Sequence, residues 1–281
     1  MVERILFSVR LLMIMAYLCA VVGVEAGNAQ IWYGNGKLPA MNNNGNAEAF
    51  TVDGTVALAS LITIGDGHLV KIADEFKTLA ARDEVIAGDW QKTKELLKNV
   101  ADRNVPALMW FALPSGDYWT VEKDRAEANL KSRPYFSRLL AGKTVIGDLV
   151  VSKTSEKNVA VVAVPVLKDK KVVGMLGASV FLDKLSGQIK QEMALPSNII
   201  FFSFDAQPLM AIDWDEGLIF RDPRELGEEV DRAFREMLAK EKGSVSYSFR
   251  GKTRDILFEK SPVTNWWYGL GVVKGETGTG R

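Results

Sequence analysis

Two periodicities divide the chain. Over residues 46–81 apolar positions recur three and four apart, at Val52, Val56, Ala59, Leu61 and Ile62, then at Leu69, Ile72, Phe76, Leu79 and Ala80. That spacing puts them on one side of a long helix. Gly65-Asp66-Gly67 interrupts the pattern and predicts a weak or kinked turn. Asp83 or Asp89 can cap a further helix with Trp90, Leu96, Leu97 and Val100 on its inner side.

From Val105 the period shortens towards two. Residues 107–113 form an apolar run closed by Pro114-Ser115-Gly116-Asp117, and Tyr118-Trp119-Thr120-Val121 resumes an extended pattern. Valine-rich stretches at 147–152, 158–167 and 171–181 predict three more strands, the last two joined by a hairpin at Lys168-Asp169-Lys170. Residues 135–140 and 182–193 read as short helices, the second stopped by Pro196. The β pattern then returns at 199–204 and 208–212, around Asp205-Ala206-Gln207. An amphipathic helix at 231–240 follows, then strands at 244–250, 254–260 and 267–273, with turns at Gly251-Lys252 and Thr264-Asn265. One long helix followed by two β-rich units of about 80 residues is the coarse organisation.

The first residues have a different character. Arg4 and Arg10 precede an apolar run of 14 residues, Leu11 to Val24, and small residues follow in Val24-Glu25-Ala26 and Gly27-Asn28-Ala29. Positive start, apolar core and small residues are the pattern of a secretory signal peptide, with cleavage after Ala29 or Ala26. The competing reading is an N-terminal membrane anchor, which needs about 20 apolar residues and would have to bury Ser8 and Arg10. Either way the bulk of the chain is expected outside the cytoplasm, periplasmic or secreted. Residues 30–45, rich in Gly and Asn, read as a flexible lead-in. The tail, 276–281, offers no apolar anchor.

Composition narrows the function. With 47% hydrophobic and 25% charged residues the chain is a folding one. Its 35 basic and 35 acidic side chains cancel, which argues against a nucleic-acid binder. Cys19 is the single cysteine and lies in the N-terminal run, so disulfides, cysteine-ligated zinc and thiol catalysis are not expected beyond it. His68, the single histidine, supports neither a Ser–His–Asp relay nor a multi-histidine metal site, and reads as a polar residue beside the helical kink. Gly142-Lys143-Thr144 follows a helical segment and lacks the leading glycine of a phosphate loop, where Ser137 stands. Asp213-Trp214-Asp215-Glu216-Gly217 lacks the oxygen ladder of a calcium loop and reads as a solvated acidic turn. No metal and no cofactor are therefore expected.

One ordered series is more specific. Asn129-Leu130-Lys131-Ser132-Arg133-Pro134-Tyr135-Phe136 is followed by Gly142, Gly147-Asp148 and Ser152. Ala163-Val164-Pro165-Val166 and Val173-Gly174-Met175-Leu176-Gly177-Ala178 continue it, with Gly88-Asp89-Trp90 and Pro114-Ser115-Gly116 upstream. Phe258-Glu259-Lys260-Ser261-Pro262-Val263 and Trp266-Trp267 close it. Over roughly 46–275 this resembles the double Cache domains, the extracytoplasmic sensing modules of bacterial chemoreceptors, histidine kinases and cyclic-dinucleotide enzymes. The resemblance implies an α+β fold: a helical region at 46–104, a membrane-distal PAS-like module at 105–193 that binds ligand, and a membrane-proximal one at 194–275.

In that family the distal module takes a small molecule, often an amino acid, a carboxylate or an amine. The resemblance casts Arg133 as the arginine that pairs with a ligand carboxylate, a role suited to the guanidinium fork. It casts Tyr135 and Phe136 as the aromatic wall, with Trp119 a candidate for the opposite wall. Against these stand an ordinary ion pair for Arg133 and core packing for both aromatics. The sequence departs from the amino-acid-binding pattern in two places: Ala128 stands where a tyrosine is expected, and Ser179 where an acid would hold the α-ammonium. An unpaired buried ammonium costs several kcal/mol. The ligand expected is thus a small carboxylate or other non-amino-acid solute, with Ser179 offering one hydrogen bond.

The resulting expectation is an exported sensor, not an enzyme, that feeds signal transduction or chemotaxis through a membrane receptor or kinase partner. No C-terminal span or output domain is expected, so the signal would pass to a separate partner. A homodimer through the long helix is a further expectation. The alternatives are an anchored receptor fragment or adaptor with a filled distal module, and an exported hydrolase built on two carboxylates about 5–9 Å apart.

Overall fold

The computed structural model describes residues 52–275. The export segment, the lead-in, the expected helical start at 46–51 and the tail lie outside the described residues. Helix α1 spans Gly54–Leu79, α2 Asp83–Ile86 and α3 Trp90–Ala101. Six strands follow: β1 Ala107–Ala112, β2 Asp117–Thr120, β3 Asp124–Asn129, β4 Val145–Val151, β5 Asn158–Lys168 and β6 Lys171–Phe181, with α4, Phe136–Leu140, between β3 and β4. Helix α5, Leu182–Met193, leads to β7 Ile199–Phe204 and β8 Met210–Asp213. Helix α6, Glu228–Leu238, precedes β9 Lys242–Phe249, β10 Lys252–Lys260 and β11 Trp267–Lys274. The strands form two antiparallel sheets, ordered β3-β2-β1-β6-β5-β4 and β8-β7-β11-β10-β9. This is the α+β arrangement the sequence predicts.

Local chemistry sets the boundaries. The Asp53 carboxylate caps α1 by accepting from the Thr55 N–H at 2.7 Å, and Asp89 caps α3 by accepting from Lys92 N–H at 3.2 Å. Asp169 and Lys170 both have positive φ, as do Arg250 and Gly251. Two consecutive left-handed residues make the tight hairpin turn whose twist suits antiparallel strands. The second of these turns falls one residue earlier than the sequence suggests. The sequence reading contains no strand at β3: its apolar alternation is only the two small alanines Ala126 and Ala128, which pack against the core from an edge strand whose other side chains are charged or polar. Strands β5 and β6 are buried almost continuously, which matches a sheet covered on both faces.

The expected kink in α1 is absent; the helix is one element. Gly65 serves a different purpose. A Cβ there would stand 2.8 Å from the Tyr268 ring, so the glycine lets β11 approach the helix. Beside it the Asp66 carboxylate is buried and accepts hydrogen bonds from three hydroxyls. Ser261 Oγ donates at 2.5 Å, Tyr268 OH at 3.0 Å and Thr264 Oγ1 at 3.1 Å. Trp266 Nε1 donates to the Gly147 carbonyl at 2.9 Å, tying the segment before β11 to β4 of the other sheet. His68 lies on an unbroken helix, not beside a kink, with Nε2 2.8 Å from Glu192 on α5. Helix α1 thus packs against both sheets.

Candidate ligand site on the first sheet

One face of the first sheet meets α1 and α3; the other is covered by α4 and the loop before it. Tyr135, Phe136 and Leu139 pack there against Trp110 and Ala112 of β1, Tyr118 of β2, Val145 of β4, Val159, Val161 and Ala163 of β5 and Met175 of β6. The Trp110 indole lies over Gly177, where any Cβ would overlap it.

Arg133 sits at the margin of this face, half-buried, in the turn leading into α4. Its Nη2 donates to the Val151 carbonyl at 2.6 Å. Its Nε is buried and has no hydrogen-bond partner among the described residues. The loop is strapped to the end of β4 by Lys153 Nζ, which donates to Asn129 O at 2.8 Å and Ser132 Oγ at 3.0 Å. Tyr118 OH lies 2.6 Å from Thr154 Oγ1. Tyr135 is buried, and burial pushes its phenol well above the ordinary value, although nearby Arg133 pulls it down. The phenol is therefore neutral at physiological pH and can donate a hydrogen bond.

Ser179 is buried and pairs across the sheet with Val161, which in turn pairs with Asp148. Cross-strand partners share a face, so Ser179 and Asp148 both lie on the α4 side. Asp148 escaped sequence reasoning as a charge on this face. A bulge at Gly147 (φ +89) shifts the register between Ile146 and Asp148 and turns the aspartate towards α4, against the period-two expectation. Asp148 pairs with Arg138 of α4. Burial raises its pKa, offset in part by Arg138.

Trp119 requires a correction. It pairs with Phe111, and its ring lies tilted at 6.3 Å from that ring and 6.5 Å from Trp90. Side chains alternate along β2, so with Tyr118 on the α4 side Trp119 points to the helix side and does not wall a pocket beneath Tyr135. The structure thus gathers Arg133, Tyr135, Phe136 and Ser179 on one side of the sheet and leaves Trp119 on the other. Asp213 also differs from the reading of a solvated acidic turn. It ends β8, is buried, and faces the interior beside Phe202.

No family model and no curated protein sequence matches the chain. Solved structures do. The ligand-binding domain of the Pseudomonas fluorescens chemoreceptor CtaA, in complex with L-isoleucine, aligns at TM-score 0.59 and 17% identity over 79% of this chain and 89% of that one. The Pseudomonas aeruginosa PAO1 amino acid chemoreceptor PctB, with L-Arg, gives 0.59 and 17% over 79% and 92%. The Campylobacter jejuni Tlp3 domain with L-norvaline gives 0.55 and 15% over 79% and 95%. The chain therefore has the double Cache fold of chemoreceptor sensory domains.

Proposed function

We propose that the chain is an extracytoplasmic small-molecule sensor, not an enzyme, whose first sheet binds a carboxylate at Arg133. The fold supports a sensing role, and the observation that carries the site is the buried Arg133 Nε without a hydrogen-bond partner among the described residues. A buried donor left unsatisfied costs about 1–3 kcal/mol, which an incoming carboxylate oxygen would recover. The neutral Tyr135 phenol beside it would add a second donor, with Phe136 packing behind.

The solved neighbours carry amino acids. Here Asp148, the acid across the sheet from Ser179, is already paired with Arg138. An α-ammonium would have to displace a guanidinium, so a carboxylate without an α-amino group is the preferred ligand class. The occupied state would be relayed through α1, which touches both sheets, to a receptor or kinase partner.

A thermal-shift panel of mono- and dicarboxylates, matched amino acids and amines tests this. A ligand at a hundred times its dissociation constant stabilises the native state by about 2.7 kcal/mol. A carboxylate that raises the midpoint in wild type and not in Arg133→Ala supports the site. Amino acids raising it more than their deaminated analogues would reverse the preference. A flat response across the panel from a folded chain would favour the adaptor reading, for which the packing of Trp110 and Tyr118 beneath Tyr135 speaks.

A further inference from the structure

The second sheet holds a different arrangement. Between its α6 face and the turns after β8 lies a cavity of about 40 Å³, into which Asp213, Arg254, Tyr247, Trp214, Phe234 and Val230 contribute. A single water needs about 10–15 Å³ of such space, so the cavity admits a group of aminomethyl size. Adjoining it is an open cleft of about 630 Å³ that shares Ile200, Trp214, Asp215 and Arg254 with it. Arg250, Lys252 and Lys274 line the cleft but not the cavity.

Charge is graded along this path. Innermost is Asp213, buried, with Oδ1 accepting from the Asp215 N–H at 2.7 Å. At the junction stands Arg254, stacked at 4.6 Å on Phe249, its Nε buried and without a hydrogen-bond partner among the described residues. At the mouth, Arg250 is paired with Asp215 and Lys274 with Asp255. Among the described residues Arg254 and Lys252 have no carboxylate partner. A purely anionic ligand would set its charge against Asp213; a purely cationic one would have to pass the mouth.

We propose that this cavity and cleft form a second small-molecule site, for a compound carrying an ammonium at one end and a carboxylate at the other, bound ammonium-inward against Asp213 with the carboxylate on Arg254 and Lys252. The carboxylate–ammonium complement lacking at Ser179 in the first sheet is supplied here by residues far apart in sequence. The Trp214 ring forms part of the wall common to both spaces. This site does not depend on the Arg133 reading.

Isothermal titration of the Arg133→Ala chain with 4-aminobutyrate, and with its two halves butyrate and butylamine, separates the two sites. Glycine and β-alanine then set the preferred distance between charges. The expected result is binding of at least one member of the amino-acid series, with the matched carboxylate and amine at least tenfold weaker. Asp213→Asn and Arg254→Gln should each lose tenfold or more, while Asp213→Asn melts no lower than its parent. A fluorotryptophan label at Trp214 should shift on adding the same ligand. Butyrate binding as tightly as 4-aminobutyrate, unchanged affinity in Asp213→Asn, or no heat from the whole series with a folded chain would overturn the proposal.

Discussion

On the α4 face of the first sheet, side chains close the space: Trp110 covers Gly177, Tyr118 reaches Thr154, and Asp148 is held by Arg138. On the α6 face of the second sheet, Phe202, Phe204 and Phe234 make a comparable apolar floor, yet a cavity remains at one end, with Asp213 and Arg254 facing it. Asp66, at the junction of α1 with β11, sharpens the contrast. It is buried like Asp213 but takes three hydroxyl hydrogen bonds, where Asp213 accepts one from the backbone. A buried acid with its acceptors filled is a structural fastening; one left under-satisfied beside a cavity is suited to a ligand.

The largest effect should come from breaking that fastening. Asp66→Ala leaves the Ser261, Thr264 and Tyr268 hydroxyls without their buried acceptor and is expected to cost about 3–5 kcal/mol in urea unfolding. A loss under about 1 kcal/mol would mean the three hydroxyls find other partners and the contrast with Asp213 fails.

Asp213→Asn should move the other way. Burial pushes the Asp213 carboxyl up to about 7 in the folded chain, against 3.8 for the free group. The proton is bound in both states below about pH 4, and in the folded state alone between about 4 and 7. Its contribution to stability is therefore full below pH 4 and is lost as pH rises through 7. The difference between wild type and Asp213→Asn cancels the similar slopes of Asp66 and Asp148, which burial also raises. The variant should be more stable by roughly 4 kcal/mol at pH 8 and gain little at pH 4. A difference that does not change with pH would place Asp213 in contact with water.

Packing offers a paired, smaller comparison. Gly177→Ala forces the Trp110 indole to move and should cost about 1–3 kcal/mol, whereas Val230→Ile adds a methylene beside the second-sheet cavity and should cost nothing or stabilise by under about 1 kcal/mol. Equal penalties from thermal melts would mean the two faces are equally full. Least of all, Arg133→Ala should change stability by under about 1 kcal/mol, since its one hydrogen bond is to a backbone carbonyl at the margin of the face.

Much of the fold was legible because periodicity reports burial. The six-residue run at β7 and the twelve residues of α5 stand where apolar spacing puts them. What escaped were features fixed by tertiary partners. Gly65 in an amphipathic helix reads as a weak point until Tyr268 is seen packed against it. Strand β3 has only Ala126 and Ala128 as an apolar pattern, too weak a signal alone, and takes its conformation from pairing with β2. At the candidate site, Arg133, Tyr135 and Phe136 share a short stretch, so their proximity could be read directly. Trp119 could not be placed, because the face of β2 it occupies depends on the phase of alternation. Asp148 was hidden by a bulge, and Asp213 by an acidic string that looks solvated although Met210-Ala211-Ile212 before it continues inward.

The most direct test of the sensor reading is isothermal titration of wild type, Arg133→Ala and Arg133→Lys with the carboxylate that raises the melting midpoint most. If the guanidinium fork holds the ligand, Arg133→Ala should lose at least tenfold in affinity and Arg133→Lys should recover only part of it, because an ammonium cannot make the paired contact. Equal affinity in all three chains would contradict an Arg133 site on the first sheet.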